Sequence, residues 1–291
     1  MKSLLRSFGL ILVLFLAINA LAPQDEAPVT IERVQGRVSC LFGQGGNIGI
    51  LEGDLRLLVV DSQYARNAPQ VKSAIQEFNS RPIRLLVNTH YHGDHTGGNP
   101  ILGEGASIIS QKNCKASFLK GLTPEQSAEG MGAPQQTYDT DMTVQVGEEE
   151  VKLLHFGAAH TAGDTVVVFQ QSRVIHAGDL FFHGLPPYID VADGADTANW
   201  IRTIEKLVHD YPEYKVIPGH GPVTDMKAWK DFGAYLKYLR EQVAAAIQAG
   251  KNKEETQRSI DLSRFQHIPD QGEFLTKRNN IGWIYDELTK K

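Results

Sequence analysis

Cysteine is nearly absent from this 291-residue sequence, which holds only Cys40 and Cys114. Two thiols so far apart cannot make a disulfide framework. Neither stands among the histidine motifs described below, so neither is assigned to metal. The expectation is two buried small hydrophobes, with a bridge between them as the alternative in an oxidising compartment. A basic run is also missing. With 34 acidic against 29 basic residues and a net charge of −5 at pH 7, nucleic acid and anionic membrane are excluded as partners. Long apolar stretches are confined to Phe8–Ile18, which is too short for an ordinary spanning helix. There is no tandem repeat, linker or low-complexity tract, so residues 23–291 read as one domain. A phosphate loop is lacking too. The stretch Gly43-Gln44-Gly45-Gly46 departs from G-x-G-x-x-G at Ile48 and no helix follows, so it reads as a flexible hairpin tip overhanging a pocket.

What is present is ordinary core-forming composition, 42% hydrophobic and 22% charged. Residues 1–22 combine Lys2 and Arg6, the apolar run and Ala20-Leu21-Ala22, the three parts of a secretory signal. Export is expected, to the periplasm in a two-membrane bacterium. Pro23 would follow the cut and disfavours cleavage there, so an uncleaved anchor is the alternative. No Cys follows the run, which argues against lipidation.

The most informative stretch is Thr89-His90-Tyr91-His92-Gly93-Asp94-His95-Thr96-Gly97-Gly98, directly after the apolar run Leu85-Leu86-Val87. Imidazole nitrogen and carboxylate oxygen are the usual ligands of Zn²⁺. A two-residue step in extended chain sends His90 and His92 to one side, suited to a single ion. Asp94 and His95 follow in a glycine-flanked turn from which they can aim at a second.

Around this motif the periodicity alternates between strand and helix. Val29–Val34, Val38–Phe42, Asn47–Glu52 and Leu55–Asp61 read as a β meander, Ala68–Asn79 as a helix, and Pro82–Asn88 as a strand ending at the His motif. A helix over Lys112–Lys120 and a loop over Thr123–Pro134 follow. The second half repeats the outline, with strands at Met142–Val146, Glu150–Phe156, Thr165–Gln170 and Arg173–His176, and helices at Ala198–His209 and Met226–Gln248. Two β-rich halves, each backed by helices, imply an α/β fold of the αββα sandwich type. Three more ligand candidates stand in glycine-rich turns after strands: His160, Asp179 and His220. Glycine there lets backbone close in around an ion. The count reaches seven candidates at four strand ends.

The order His90-x-His92-x-Asp94-His95, then His160, Asp179 and His220, resembles the metallo-β-lactamase superfamily over about Val29–Val223. That resemblance implies two zinc ions: His90, His92 and His160 on one, Asp94, His95 and His220 on the other, and Asp179 bridging both. Two such ions about 3.5–4 Å apart lower the pKa of a shared water toward about 7, and Asp94 is placed to orient or deprotonate that water. The implied activity is hydrolysis of a lactone, ester or cyclic amide, with β-lactams a side case. The β-lactamase subclasses carry Cys or Ser at the Asp179 position, and one has a Lys where this chain has Phe182. The bridging Asp instead resembles the glyoxalase II, lactonase and phosphodiesterase branches, although an export signal disfavours a glutathione thioester. Two rivals remain: a mononuclear iron enzyme of persulfide dioxygenase type, using His90, His160 and Asp179, and a metal-binding accessory protein without turnover.

Several neighbours complete the expectation. His183, Tyr188 and Asp190 lie in the loop after Asp179 and are candidates to wall a small-molecule pocket. Thr89, Asp61 and Thr161 are candidates to hold the far nitrogens of ligand imidazoles. His155 and His176 are expected in the core or behind the ligands. The tail offers a helix near Ile281–Leu288, and Lys251, Lys253 and Arg258, interspersed with Glu254 and Glu255, read as a solvated face.

Overall fold

The computed structural model describes residues 28–290; the expected signal over residues 1–22 lies outside the described residues. The first sheet has seven strands in chain order: β1 (Thr30–Gln35), β2 (Val38–Phe42), β3 (Ile48–Glu52), β4 (Leu57–Val60), β5 (Ile83–Val87), β6 (Ser107–Gln111) and β7 (Gln136–Tyr138). Strands β1 to β4 are antiparallel neighbours, and β4 to β7 run parallel. The second sheet comprises β8 (Asp141–Val146), β9 (Glu149–Leu154), β10 (Val166–Phe169), β11 (Val174–His176), β12 (Lys215–Ile217) and β13 (Thr224–Asp225). It is antiparallel except where β11 meets β12.

Side-chain alternation along the strands explains the layering. In β4, Leu58 and Val60 face the second sheet while Leu57 and Val59 pack outward with Val71 and Ile75 of α1 (Ala68–Phe78). In β10, Val167 and Phe169 face the first sheet, and Val166 and Val168 face the helices. Those helices are α5 (Thr197–Asp210), α6 (Met226–Gln248) and α8 (Lys277–Thr289). Their N-caps Asp196, Asp225 and Thr276 each accept a backbone N–H of the first turn, which satisfies a donor the helix itself cannot. The outcome is the αββα sandwich.

Differences from the sequence expectation are local. Strands β7 and β13 carry too few residues for a period to show, and β6, with five, contributes only Ile108 and Ile109 to the core. The solvated face at Lys253 is in part a helix, α7 (Lys253–Ser259), closed by a capping box between Asn252 and Glu255. The helices α2 (Gly93–Thr96), α3 (Asn99–Leu102) and α4 (Lys112–Lys120) complete the set. Cys40 and Cys114 are both buried and unbridged. Among the described residues no helix is long and apolar enough to cross a membrane.

Two features of the packing bear directly on the strand ends. Trp200 of α5 and Trp229 of α6, both fully buried, each donate an indole N–H to the Leu180 carbonyl, at 2.9 and 3.0 Å. The turn carrying Asp179 is thereby fixed from two helices at once. Beneath the His motif, the amides of Asn88 and Asn99 exchange hydrogen bonds of 3.0 and 2.8 Å. Asn99 also donates to the Gly132 carbonyl at 3.0 Å and accepts from Ser62 Oγ at 2.8 Å. A buried amide with all of these positions filled rigidifies its surroundings.

Candidate metal centre

The turns that follow β5, β9, β11 and β12 converge on one point. His90 Nε2, His92 Nδ1 and His160 Nε2 form one group, with separations of 3.1 Å from His92 to His90 and 3.2 Å from His92 to His160. Asp179 Oδ2 lies 3.6 Å from His90 Nε2 and 3.5 Å from His160 Nε2. The second group joins His95 Nε2 and His220 Nε2, 3.4 Å apart, with Asp94 Oδ2 3.3 Å from His220 and 3.7 Å from His95. Asp179 turns its other oxygen to this group: Oδ1 is 3.1 Å from His95 Nε2 and 3.4 Å from His220 Nε2. All seven sequence candidates are therefore in one cluster.

The donor set fits two cations. Tetrahedral zinc bound to nitrogen at about 2.0–2.1 Å sets adjacent ligand atoms about 3.3–3.4 Å apart, a spacing bracketed by the 3.1–3.7 Å separations of the two groups. Nitrogen lone pairs turned toward one another at this spacing repel unless a cation or proton lies between them. Asp179 Oδ1 is buried and has no hydrogen-bond partner, a costly state for a carboxylate oxygen unless an ion completes it.

Most of the imidazoles are held from behind. Asp61 Oδ2 accepts from His95 Nδ1 at 2.7 Å and from Thr89 Oγ1 at 2.7 Å, and Asp61 Oδ1 accepts the Thr89 amide at 2.8 Å. Thr89 Oγ1 in turn accepts from His90 Nδ1 at 3.1 Å. Asp61 has a φ of 66°, a left-handed conformation uncommon outside glycine and the kind of local strain that surrounding contacts must maintain. The Tyr188 carbonyl accepts from His160 Nδ1 at 3.0 Å. These bonds turn the opposite ring nitrogens toward the cluster, where they can bind metal.

Asp190 differs from expectation. Rather than lining a pocket, its Oδ2 accepts from His92 Nε2 at 2.9 Å and from Tyr91 Oη at 2.6 Å, so it fixes a ligand. Only its neighbourhood to Asp179, and no sequence spacing, hinted at this. Thr161 also differs: it donates through N and Oγ1 to Asp164 and not to a ligand imidazole. His176 donates through Nε2 to the Asn47 carbonyl at 3.0 Å, and His155 through Nδ1 to the Asp164 carbonyl at 2.7 Å. His183 donates to the Pro222 carbonyl at 2.8 Å and lines a cavity of about 450 Å³ with Phe181, Phe232 and Phe265. None of the seven ligands lines that cavity. Tyr188 is placed differently, its ring 5.5 Å from that of His92.

The hairpin tip after β2 closes the other side. Gly46 N donates to the Asp94 carbonyl at 2.9 Å, and a Cβ on Gly46 would collide with the His95 ring. Asn47 donates from Nδ2 to the carbonyls of Pro218 and Gly221, at 2.9 and 2.8 Å, and so clamps the turn bearing His220.

Charge divides the two groups. Burial lowers the pKa of His160 to about 4 and that of His90 well below its usual value, so these rings are neutral and open to metal. For His220, burial lowers the pKa but the carboxylates of Asp179 and Asp94 outweigh it and raise it to about 9; His95 is raised in the same way by Asp179, Asp94 and Asp61. Asp94 is held at about 2, burial being overcome by His95 and His220, and Asp179 is held well below the carboxylate range by the same two rings and His90.

A metal entering the second group must displace protons that His90 and His160 of the first group do not hold. In calorimetric titration of metal-free protein in buffers of different ionisation enthalpy, the second zinc should release more protons at pH 7 than the first. Affinity of the second site should rise as pH climbs through about 9, where His220 gives up its proton. Equal proton release at both sites would contradict this assignment. Asp61→Ala should weaken zinc binding by about 10- to 100-fold, read by chelator competition. An unchanged affinity would remove Asp61 from the support of His95.

Comparison with known proteins agrees with the geometry. A model of the metallo-beta-lactamase superfamily matches residues 41–220. The alpha subunit of 2,4-dinitroanisole O-demethylase from Nocardioides sp. (strain JS1661) is 28% identical over 199 residues, which cover 67% of this chain and 58% of that subunit. The beta-lactamase-like protein 2 homolog of Caenorhabditis elegans is 25% identical over 274 residues, 89% of this chain and 86% of that protein. Among solved structures, a metallo-beta-lactamase from Pontibacter korlensis superposes with a TM-score of 0.63 at 20% identity, covering 72% of this chain and 99% of its own. A sec-alkyl sulfatase superposes with a TM-score of 0.71 at 15% identity, covering 90% of this chain and 50% of its own. At these identities the superpositions speak for the fold alone. With the αββα sandwich, the convergent His/Asp cluster and a family model spanning residues 41–220, the chain belongs to the metallo-beta-lactamase superfamily and carries a hydrolase-like site able to bind metal.

Proposed function

We propose that the protein is a zinc-dependent hydrolase that cleaves a lactone, ester or cyclic amide. The observation that carries this reading is Asp179, whose two carboxylate oxygens are divided between two histidine groups, with Oδ1 otherwise unsatisfied. His90, His92 and His160 would hold one ion, Asp94, His95 and His220 the other, and Asp179 both. Zinc bound there supplies Lewis acidity to a carbonyl oxygen and a water acidified to a pKa of about 7.

The chain's own residues supply the rest. Asp94 keeps 20% of its side chain exposed while Asp179 keeps 4%, so Asp94 is the cluster carboxylate that solvent and substrate can reach. Its charge at neutral pH, with pKa about 2, suits it to accept a hydrogen bond from the attacking water and aim it. Phe182 stacks on His220 at 5.1 Å and lies 5.8 Å from His160; it floors the site with apolar surface and offers no cation to a substrate carboxylate. Among the described residues, no Lys or Arg pairs with any of the seven side chains, which favours a neutral carbonyl over a phosphate or sulfate. The names of the relatives, an anisole O-demethylase subunit and a sec-alkyl sulfatase among them, span different reactions. Site chemistry therefore selects the substrate class here, and kinship does not. The N-terminal segment supports an exported, periplasmic setting.

Elemental analysis should find two zinc per chain, and a screen over lactones, aryl esters, nitrocefin and phosphodiesters should find carbonyl hydrolysis. Asp94→Ala should lower kcat by about 10²–10⁴, retain zinc in the His90 group and keep the far-ultraviolet dichroism of the parent. One iron with oxygen uptake would support the dioxygenase class instead, and a metal-loaded but inert protein an accessory role. Parental turnover by Asp94→Ala would remove Asp94 from the chemistry.

A further inference from the structure

Aromatic rings run outward from the metal centre in an unbroken series. Tyr91 and His92 are 4.6 Å apart by ring centroid, His92 and Tyr188 5.5 Å, and Tyr188 and Phe274 5.3 Å. Trp283 backs the outer pair, 5.1 Å from Tyr188 and 5.3 Å from Phe274. Phe274 nevertheless keeps 59% of its surface exposed. Burying such a ring is worth about 1.5–3 kcal/mol, so leaving it in water calls for a reason.

The ring is held in place. Asn279 donates to the carbonyls of Glu273 and Phe274, at 2.9 and 2.7 Å, and Lys277 donates to Asp270 and the Ile268 carbonyl, at 2.8 and 2.6 Å. The same helix, α8, fixes the inner ring. Asn280 Nδ2 donates to the Pro187 carbonyl at 2.6 Å, and the adjacent carbonyl, that of Tyr188, accepts from His160. One helix thus sets both Phe274 and Tyr188 relative to a ligand imidazole. Residues 270–290, which carry Phe274 and Trp283, lie beyond the stretch that the family model matches.

We propose that Phe274 and Tyr188 form a subsite that holds an aryl or similarly sized apolar group of the substrate beside the scissile carbonyl. The substrate class becomes an ester, lactone or cyclic amide bearing such a group, and Phe274 is a specificity-determining residue. The carbonyl rests on the hydrolase reading above; the apolar group does not. Lys277, the nearest cation in sequence, is committed to Asp270. A second copy of the chain is a poorer occupant, because two rings fall far short of the roughly 800 Å² per partner of a stable interface. The shelf also ends on His92, so a group lying on it would sit beside a candidate metal ligand.

The test is calorimetric binding of phenylacetate and acetate to the zinc-loaded protein, with light scattering alongside. Phenylacetate should bind at least about tenfold more tightly than acetate. Phe274→Ala should reduce that preference to about threefold or less and Phe274→Trp should retain it. No preference, no binding of either acid, or a preference that survives Phe274→Ala overturns the proposal. So does a change of oligomeric state in Phe274→Ala without a change of preference. A Phe274-dependent preference in a protein that hydrolyses nothing would keep the subsite and reject the hydrolase; carbonyl hydrolysis without the preference would do the reverse.

Discussion

A single carboxylate, that of Asp179, is buried between two sets of imidazoles, and most of the architecture serves to keep it there. A buried charge without partners costs several kcal/mol. In this protein the compensation comes from four rings facing it at 3.1–3.6 Å, an arrangement that bound cations would complete. Trp200 and Trp229 anchor the Leu180 carbonyl next to it, which ties the acid to the largest hydrophobic layer of the fold. The metal centre and the core are therefore one mechanical unit.

The sandwich explains why the ligands can come from distant segments without loss of precision. Strands β5, β11 and β12 end on the same rim, and each turn after them is pinned by an independent contact: Asp61 behind the His motif, the two indoles behind Asp179, and Asn47 across the turn of His220. Asp61 is held in a left-handed conformation at the end of β4. Support of this kind keeps ligand atoms within a few tenths of an ångström of coordination distance before metal arrives.

Much of this was legible in the sequence, because the first four ligands stand within six residues and a two-residue step in extended chain has only one geometric outcome. Glycine at 178, 219 and 221 marked the other turns. Strand and helix periods gave the two halves and α6 with its observed bounds, Met226–Gln248. What stayed illegible depends on contacts between residues far apart in the chain. Asp190 reads as a loop acid, and only the fold reveals that it holds His92. The shelf of Tyr188 and Phe274 joins positions 86 apart through Trp283 and Asn280, which no local pattern encodes. Strands of two or three residues are stabilised by their neighbours in the sheet and leave no period to detect.

The central claim is that two zinc ions occupy this cluster and share Asp179, and zinc K-edge absorption spectroscopy of the loaded protein tests it most directly. The account predicts a first shell of nitrogen and oxygen at about 2.0–2.1 Å, no sulfur, and a zinc–zinc vector at about 3.5–4 Å. A sulfur shell from Cys40 or Cys114, or isolated zinc with no metal neighbour at full loading, would contradict it.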